Sequence, residues 1–347
     1  MSEVAKKKTQ VLITGANGFI GSNLTKYLSN DPSLEVYAMV RSKDTVRFLK
    51  DFQINPDTKK KMFDMVEANL QDEESIIKVC KNMDVIIHLA SNVSDWGKRK
   101  DFYEINVEGT KRILNAASKS GVSRVIYLSS LTVHGLSGHT FADENTPRIV
   151  RWNPYAESKI IAEDLVFNWT TNEDVEGAVI RPGFIIFGPY DRHTFKLALD
   201  QIAKGRFAFI NRGKRFVSYV YVENLCYGIN QLLNAENVNG AYNILDGNLT
   251  WREWLKKWEI AVKRKVRTIS LPYFFLVPIT ALLVGFYKLF RIKKPPPLTF
   301  YRIKVMRNNL AFSNNRIETE IGYSPPFSLD EGIQKTMEYF NELKNEN

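Results

Sequence analysis

The sequence predicts an α/β fold, a doubly wound parallel sheet with a smaller, interleaved C-terminal lobe. Two observations predict it. Short apolar runs alternate with helical patterns along the chain, and the first run, 11–14, is followed by a glycine-rich turn and a helical pattern over 22–28. An apolar run this short, bounded by glycine, is typical of a buried parallel strand. Strands that alternate with helices predict parallel pairing, with helices on both faces of the sheet.

The glycine-rich turn has the spacing Gly-x-x-Gly-x-x-Gly. Its first glycine permits a tight turn, the second lets the backbone approach a pyrophosphate, and the third lets the helix pack against the strand. The helix N-terminus offers free N–H groups and a partial positive charge to phosphates. A surface turn is the alternative for a lone glycine triplet, but the flanking strand and helix favour a Rossmann dinucleotide site. The expected cofactor contacts from this turn are Gly15, Asn17, Gly18, Phe19, Ile20 and Gly21.

A second motif, Tyr-x-x-x-Lys, lies in the middle of the chain. Tyr155 and Lys159 are four residues apart, so they share one face of a predicted helix that begins near Pro154. A phenol is a poor base at neutral pH, but a nearby lysine cation favours the phenolate. Tyr155 could then exchange a proton with a carbonyl or alcohol oxygen. Alone the motif is most often an ordinary helix face. With the glycine turn, it predicts hydride transfer to or from a nicotinamide. Glu157 and Glu163 on this helix are expected to be solvated.

Further strings in the chain resemble the extended short-chain dehydrogenase/reductase family. They cover nearly the whole sequence and lie at 84–90, 106–110, 128–135, 181–183, 187–189, 221–224 and 322–325. The resemblance implies an NAD(P)-dependent dehydrogenase or reductase with the catalytic residues Ser130, Tyr155 and Lys159. Strand alternation allows only one of Ser129 and Ser130 to face the site. The resemblance selects Ser130 as the group that hydrogen-bonds the substrate oxygen.

The same resemblance implies further cofactor contacts. Asn106 is implied to steady Lys159 through a water. The family commonly has an aspartate near the adenine where this chain has Asn69, which loosens any inference about the adenine contacts. The residues implied to contact the cofactor outside the glycine turn are Arg41, Asn69, Leu70, Leu89, Ala90, Asn106, Tyr155, Lys159, Pro182 and Gly183.

The choice between NAD and NADP depends on the end of the second strand, predicted at 35–40. An acid there would bind the ribose 2′-hydroxyl and repel a 2′-phosphate. This chain has Arg41 instead, followed by Ser42 and Lys43. These three residues offer hydrogen-bond donors that suit a phosphate. NADP(H) is therefore favoured and NAD(H) remains possible. Alternatively, Arg41 stacks on the adenine or points to water.

Composition excludes several classes of protein. The chain has 347 residues, enough for a nucleotide domain and a smaller lobe. The glycine turn interrupts the first apolar run, so we expect no signal peptide. Cys80 and Cys226 lack metal spacing and predict reduced thiols in a cytoplasmic protein. We expect no metal, since no ligand spacing is found among the four histidines, His88, His134, His139 and His193.

The net charge of +10 raises the question of an acidic partner. No nucleic-acid recognition motif is present, so we expect no nucleic-acid partner. Basic residues instead flank the apolar stretch 271–287. An interfacial helix on anionic lipid headgroups is favoured. A buried core or tunnel segment remains open. A transmembrane span, which needs about 20 apolar residues, ranks last because the stretch is short and contains Pro272 and Pro278. The favoured interpretation predicts peripheral attachment to the cytoplasmic membrane face.

These observations divide the chain into a Rossmann domain over 10–180 and a mainly substrate-binding lobe over 184–345. Strands near 177–182 and 241–245 are expected to return to the sheet, and 271–290 is the membrane-proximal segment. An apolar insert followed by the proline-leucine-threonine run at 295–299 resembles the 3β-hydroxysteroid dehydrogenase and sterol-4α-carboxylate 3-dehydrogenase branch. Bacterial 2-alkyl-3-oxoalkanoate reductases are similar in this respect.

That resemblance implies redox chemistry on a secondary alcohol or ketone of a large apolar substrate, sterol-like or a long-chain β-keto lipid. The alternative is a nucleotide-sugar epimerase or dehydratase, which uses the same catalytic residues. A redox-sensing binding module without chemistry is a third hypothesis, disfavoured by the intact Ser130, Tyr155 and Lys159. A homodimer is possible.

Overall fold

The computed structural model describes residues 7–149, 153–192 and 195–345. Its strands, in chain order, are β1 Thr9–Thr14, β2 Leu34–Val40, β3 Asp64–Glu67, β4 Val85–His88, β5 Arg124–Leu128, β6 His139–Ala142, β7 Glu176–Pro182, β8 Ile185–Phe187, β9 Arg206–Ile210, β10 Phe216–Tyr221, β11 Asn239–Ile244, β12 Gly247–Thr250, β13 Arg267–Leu271 and β14 Leu310–Phe312.

The helices surround these strands. They are α1 Phe19–Leu28, α2 Glu73–Cys80, α3 Arg99–Phe102, α4 Gly109–Ser120, α5 Pro154–Glu173, α6 Phe195–Ala203, α7 Val222–Asn234, α8 Trp251–Ala261, α9 Tyr273–Leu289, α10 Phe300–Arg307, α11 Asn315–Ile321 and α12 Leu329–Asn345. A π-helical turn, Tyr103–Glu108, joins α3 to α4.

The predicted doubly wound parallel sheet is confirmed. Seven strands pair in the order β11-β7-β5-β4-β1-β2-β3, and each neighbouring pair is parallel. β1 is buried because Val11, Leu12 and Ile13 have no exposed surface. The chain leaves β1 towards β2 on one side, whereas β4 lies on the other. This reversal places a crevice at the carboxyl ends of β1 and β4, where ligands bind in such sheets.

The other strands build a second layer beside the crevice. β10 pairs with β8, β12 and β14, and β14 pairs with β6, while β9 and β13 form a separate ribbon. An apolar cluster joins these strands to α6 and α8, and its largest side chains, Trp254 and Trp258, are buried. Large aromatic side chains bury much apolar surface, so this cluster holds the lobe beside the sheet.

Helix α9 contains most of the apolar stretch and lies on the surface. Of its residues, Leu276 and Thr280 are buried, and Leu276 packs against Ile210 and Ile303. This segment therefore does not form a buried core helix. In the described ranges no helix combines the length and the apolarity that crossing a bilayer requires. Its exposed apolar side chains and their exposed fractions are Phe274 67%, Phe275 57%, Ile279 47%, Leu282 76%, Phe286 53% and Leu289 77%.

One expectation about α5 is wrong. Glu163 is not solvated: its carboxylate is fully buried and accepts two hydrogen bonds from Arg181, from Nε at 2.9 Å and from Nη2 at 2.7 Å. Arg148 adds a third at 3.1 Å. Glu163 lies one helical turn beyond Lys159, so the same face that carries the lysine points into the protein. Glu157 lies nearer the surface, where it pairs with Arg99.

Candidate active site

The glycine-rich turn connects β1 to α1 and lies at the crevice. Gly15 has a φ of +69°, and a Cβ atom there would lie 2.7 Å from the backbone nitrogen of Ala90. A Cβ atom on Gly21 would overlap the Gly15 carbonyl oxygen. Gly18 caps α1 without a side-chain hydrogen bond, so the first N–H groups of this helix remain available. The turn thus fits the close approach of a phosphate group.

Side chains of the turn hold it in place. The Asn17 amide donates to the Thr45 carbonyl oxygen at 3.3 Å, and its oxygen accepts from the Arg47 backbone N–H at 3.0 Å. Phe19 and Ile20 pack against buried apolar side chains of the second layer. The backbone of the turn, rather than these side chains, is what faces the crevice for a ligand.

Arg41 follows β2 and is exposed. Within the described residues its guanidinium makes no hydrogen bond or ion pair, so its donors are free for a ligand. Asn69 follows β3, and its side-chain oxygen accepts from the Gln71 backbone N–H at 3.2 Å. Leu70 is buried against Gly109, where a Cβ atom would lie 3.2 Å from the leucine Cδ1. Arg41 therefore offers free hydrogen-bond donors in this region.

The loop after β4 forms the other wall of the crevice. Leu89 is buried, and the Ala90 backbone N–H donates to Thr14 Oγ1 at 3.1 Å. This bond ties the loop to the end of β1, directly before Gly15. The two walls of the crevice are thereby joined at its floor.

Asn106 organises the loop from the π-helical turn. Its side-chain oxygen accepts from Ser91 Oγ at 3.0 Å and from the Asn92 backbone N–H at 2.7 Å, and its amide donates to Ser158 Oγ at 2.9 Å. Asn106 thus contacts the residue beside Lys159 directly. Single π-helical turns occur frequently at functional sites.

The structure brings Ser130 and Tyr155 together. Burial raises the pKa of the Tyr155 phenol to about 12, and its hydrogen bond with Ser130 opposes that rise. The phenol is accordingly protonated at neutral pH. Ser130 also accepts from Thr132 Oγ1 at 3.0 Å, which orients its hydroxyl. A protonated phenol and a neighbouring hydroxyl can together donate to one substrate oxygen.

Lys159 lies in the same helix but is buried. Its Nζ donates to Tyr127 Oη at 3.1 Å and to the Leu128 carbonyl oxygen at 2.8 Å. Burial lowers the pKa of this ammonium to about 7, while the Glu163 carboxylate raises it. In this arrangement the lysine contacts β5, not the tyrosine phenol.

Sequence reasoning missed the polar side chains beneath Lys159. His88 Nε2 lies 3.1 Å from Thr110 Oγ1, and its Nδ1 lies 2.7 Å from Thr14 Oγ1. Burial and the Lys159 charge lower the pKa of His88 to about 3, so it is neutral. The Tyr127 ring lies 5.7 Å from the His88 ring, and Tyr127 Oη accepts a hydrogen bond from Lys159 Nζ at 3.1 Å. The alternation of β4 and β5 could have placed His88 and Tyr127 on one face, but not their bonding.

The segment after β7 lies against the second layer. Pro182 is buried. The Gly183 backbone N–H donates to the Ile244 carbonyl oxygen at 2.9 Å. A Cβ atom on Gly183 would lie 2.8 Å from the Tyr219 carbonyl carbon, so only glycine fits here. These contacts fix the position of the segment beside the crevice.

Potential metal ligands are scattered. Among the described residues, histidine, cysteine, aspartate and glutamate side chains form no group of three or more that could hold a metal ion. His88 contacts Thr14, whereas His139 lies beside His134, with its Nε2 3.0 Å from the His134 carbonyl oxygen. His193 lies outside the described residues. Cys80 and Cys226 are both buried, and burial raises the pKa of the Cys80 thiol to about 12.

Comparison with known proteins identifies relatives over almost the entire chain. The chain is 28% identical over 341 residues to N-acetyl-alpha-D-glucosaminyl-diphospho-ditrans,octacis-undecaprenol 4-epimerase of Escherichia coli O157:H7, covering 95% of this chain and 94% of the relative. It is 29% identical over 303 residues to 3beta-hydroxysteroid-dehydrogenase/decarboxylase isoform 1 of Arabidopsis thaliana, covering 81% and 68%.

Solved structures share the fold. A dTDP-glucose 4,6-dehydratase from Streptomyces venezuelae, crystallised with NAD and TYD, superposes with a TM-score of 0.75 at 21% identity, covering 97% of this chain and 98% of that chain. The profile of the NAD dependent epimerase/dehydratase family matches residues 11–244, more than half of the chain. The chain therefore belongs to this family, and it is an enzyme of the extended short-chain dehydrogenase/reductase type.

Proposed function

We propose that the protein is an NAD(P)-dependent oxidoreductase that interconverts a secondary alcohol and a ketone on a large apolar lipid. The observation that carries this proposal is the placement of Tyr155 next to Ser130, at the crevice that the glycine turn borders. The turn, Arg41 and the loop at 89–90 are assigned to the dinucleotide. The nicotinamide supplies or accepts the hydride when it is bound.

Tyr155 is the general acid or base. In the reducing direction its Oη gives a proton to the carbonyl oxygen, and in the oxidising direction it takes the proton of the alcohol. Ser130 donates a hydrogen bond to the same oxygen and so holds it near Tyr155. Lys159 keeps a buried positive charge behind the phenol, which favours its deprotonated form as the proton leaves. Asn106 fixes the helix that carries both residues through Ser158.

NADP(H) is the proposed cofactor. Arg41 is exposed at the end of β2, and no described carboxylate pairs with its guanidinium. The guanidinium can therefore make bidentate hydrogen bonds to a 2′-phosphate. A solved structure of similar fold, the Streptomyces venezuelae dTDP-glucose 4,6-dehydratase, contains NAD, which supports the unphosphorylated form as the alternative. NAD(H) is therefore the alternative cofactor, and the affinities of wild type and Arg41→Asp for NADPH and NADH distinguish the two.

The proposed substrate is sterol-like or a long-chain β-keto lipid, taken from the cytoplasmic face of a membrane. Two features support this. The exposed apolar face of α9 is flanked by exposed basic residues, Lys288, Arg291, Lys293 and Lys294, which suit anionic headgroups. A relative from Arabidopsis is named for 3β-hydroxysteroid oxidation.

A second candidate function is epimerisation of a sugar carried on a membrane lipid. The Escherichia coli relative, named as a 4-epimerase of an undecaprenol-linked sugar, is matched over nearly its full length. The same tyrosine and serine would act on a sugar hydroxyl. Both candidate functions use the apolar face of α9 at a membrane. Epimerisation consumes no net reductant, however, so a measurement of cofactor turnover separates the two.

The proton-transfer role of Tyr155 is tested by Tyr155→Phe. This variant should lose turnover by about two to four orders of magnitude, since general acid catalysis contributes that much. NADPH affinity should stay near the wild-type value because only the phenol oxygen is removed. Purified protein is assayed for NADPH or NAD⁺ turnover with sterol ketones, β-keto lipids and UDP-sugars, and for epimerisation of lipid-linked N-acetylglucosamine. Appreciable turnover by Tyr155→Phe would contradict the mechanism.

The buried charge of Lys159 predicts a pH-dependent stability. Its pKa is lowered from 10.5 to about 7, so between these values the unfolded chain binds the proton more tightly than the folded chain. This contribution makes folding more favourable as the pH rises through that window. Lys159→Met removes it. Urea titration of dinucleotide-free protein should show Lys159→Met gaining more stability over wild type at about pH 6 than at about pH 10. An equal difference at both pH values would argue against a buried ammonium.

Cofactor preference is tested by Arg41→Asp. The change removes a phosphate partner and adds a carboxylate that can accept from a ribose hydroxyl. NADPH should bind about ten-fold more weakly or worse, and NADH as well as before or better. Binding is measured by quenching of protein fluorescence, with Lys78→Gln, an exposed change in α2, as a control. A wild type that already prefers NADH would contradict the role of Arg41.

The membrane role of α9 is tested by a variant in which three exposed residues, Phe274, Phe275 and Leu282, are replaced by serine. The variant should no longer sediment with vesicles containing phosphatidylglycerol, while it still reduces a short soluble ketone. High salt should weaken wild-type binding without abolishing it, since apolar burial is not screened. Ile260→Ser removes an exposed side chain of α8 and serves as the control. Wild-type protein that stays in the supernatant would contradict membrane binding.

A further inference from the structure

A buried histidine lies between the glycine turn and the helix region that holds the catalytic residues. His88 ends β4, and both of its ring nitrogens contact threonine hydroxyls. Its Nδ1 lies 2.7 Å from Thr14 Oγ1, and its Nε2 lies 3.1 Å from Thr110 Oγ1. All three side chains are fully buried. Thr14 directly precedes Gly15, whereas Thr110 lies in α4, so the imidazole bridges the end of β1 and that helix.

The partners of the two threonines determine which ring nitrogen of His88 carries the proton. Thr110 Oγ1 donates its single proton to the Asn106 carbonyl oxygen at 2.7 Å. His88 Nε2 must therefore be the donor in its contact with Thr110. His88 is neutral, since burial lowers its pKa to about 3, and a neutral imidazole accepts at its other nitrogen. Nδ1 thus accepts the hydroxyl proton of Thr14, whose oxygen accepts from the Ala90 backbone N–H.

The hydrogen bonds continue from Asn106 to the catalytic helix. The Asn106 amide donates to Ser158 Oγ at 2.9 Å, and Ser158 Oγ donates to the Tyr155 carbonyl oxygen at 2.7 Å. Asn106 and Ser158 are buried, so water does not compete for these bonds. Buried hydrogen bonds, joined through Asn106, therefore lead from the residue before the glycine turn to the backbone of the general acid. We call this set the His88 network, and its members are Thr14, His88, Thr110, Asn106, Ser158 and Tyr155.

The two ends of the His88 network are the two parts of the site that must keep a fixed distance. The glycine turn positions the dinucleotide, and α5 positions Tyr155. Transfer of a hydride and a proton to one carbonyl group requires both to be in place together. A misplacement of about 1 Å can cost about 100-fold in rate, so a rigid link between the turn and α5 directly affects turnover. A buried polar network in which every member is bonded supplies that rigidity.

We propose that His88 is a positioning residue that couples the glycine turn to the helix of Tyr155, with Thr110 and Asn106 connecting the imidazole to α5. Occupation of the turn then orders the backbone around Tyr155. The proposal rests on the proposed function, in which the turn holds the dinucleotide and Tyr155 transfers the proton. It adds a coupling between these two parts of the site, and this coupling can be measured without turnover.

The coupling is tested with ADP, which carries a pyrophosphate for the turn but lacks the nicotinamide and its ribose. Saturating ADP should slow backbone amide exchange in the α5 peptide that contains Tyr155 of the wild type. Thr110→Val removes one hydroxyl and keeps the side-chain shape, so ADP should bind equally well but no longer slow this exchange. Thr110→Ser restores a hydroxyl and should restore the effect.

Two further variants sharpen this test. His88→Asn has a shorter side chain that can reach Thr14 but not Thr110, so it should lose the ADP effect as Thr110→Val does. Thr25→Val is the matched control. Thr25 is buried in α1, and its hydroxyl has no hydrogen-bond partner among the described residues. This variant should therefore respond to ADP as the wild type does.

Turnover separates positioning from a loss of stability. With NADPH and a soluble β-keto ester, Thr110→Val and His88→Asn should each lower kcat about ten-fold, with KM for NADPH near the wild-type value. The double variant should lose no more than either single variant, because both changes break the same network. Thr110→Ser and Thr25→Val should keep kcat near the wild-type value.

Failure of this proposal and failure of the proposed function give different results. If the wild type shows no redox turnover but Thr110→Val abolishes the ADP effect, the redox function is contradicted and the coupling stands. An ADP effect that Thr110→Val leaves unchanged, in an enzyme that Tyr155→Phe inactivates, would overturn the role of His88 and leave the redox function intact. A wild type in which bound ADP does not change the exchange of α5 would overturn it as well.

Discussion

The buried ammonium of Lys159 is the group around which the site is organised. Desolvation of a charge is costly, and the protein meets that cost with the Tyr127 hydroxyl, the Leu128 carbonyl oxygen and the nearby Glu163 carboxylate. Tyr127 and Leu128 both lie in β5, so their bonds to Lys159 hold α5 over that strand of the sheet. Tyr155, one turn earlier on the same helix, is placed at the crevice as a consequence.

The loop at 91–98 links this catalytic centre to the surface. Its backbone is held by Asn106, and its side chains Asp95 and Trp96 hold the segment that leaves α9. The apolar face of α9 and the proposed general acid are therefore separated by one short, heavily bonded loop. This arrangement suits a substrate whose apolar body comes from a lipid surface while its reactive end must reach a polar pocket.

Much of the fold could be predicted because local patterns match it. The glycine spacing after 11–14 predicts the first turn and helix, since glycine is required wherever a Cβ atom would overlap backbone, as at Gly15 and Gly21. The spacing of Tyr155 and Lys159 predicts their common helix face. The same spacing extends to Glu163, yet a charged residue at such a position is usually solvated, so its burial against Arg181 was not predicted.

The sequence by itself determined the sheet, the family and the residue types available for proton transfer, because these follow from short-range periodicity and from motifs in contiguous segments. The tertiary structure alone decided which distant groups meet. Asp95 and Arg302 are far apart in the chain, as are Trp96 and Ile292, and only the folded chain brings each pair together. Hydrogen bonding and burial between remote segments leave no periodic pattern in the sequence, so those contacts emerge only in three dimensions.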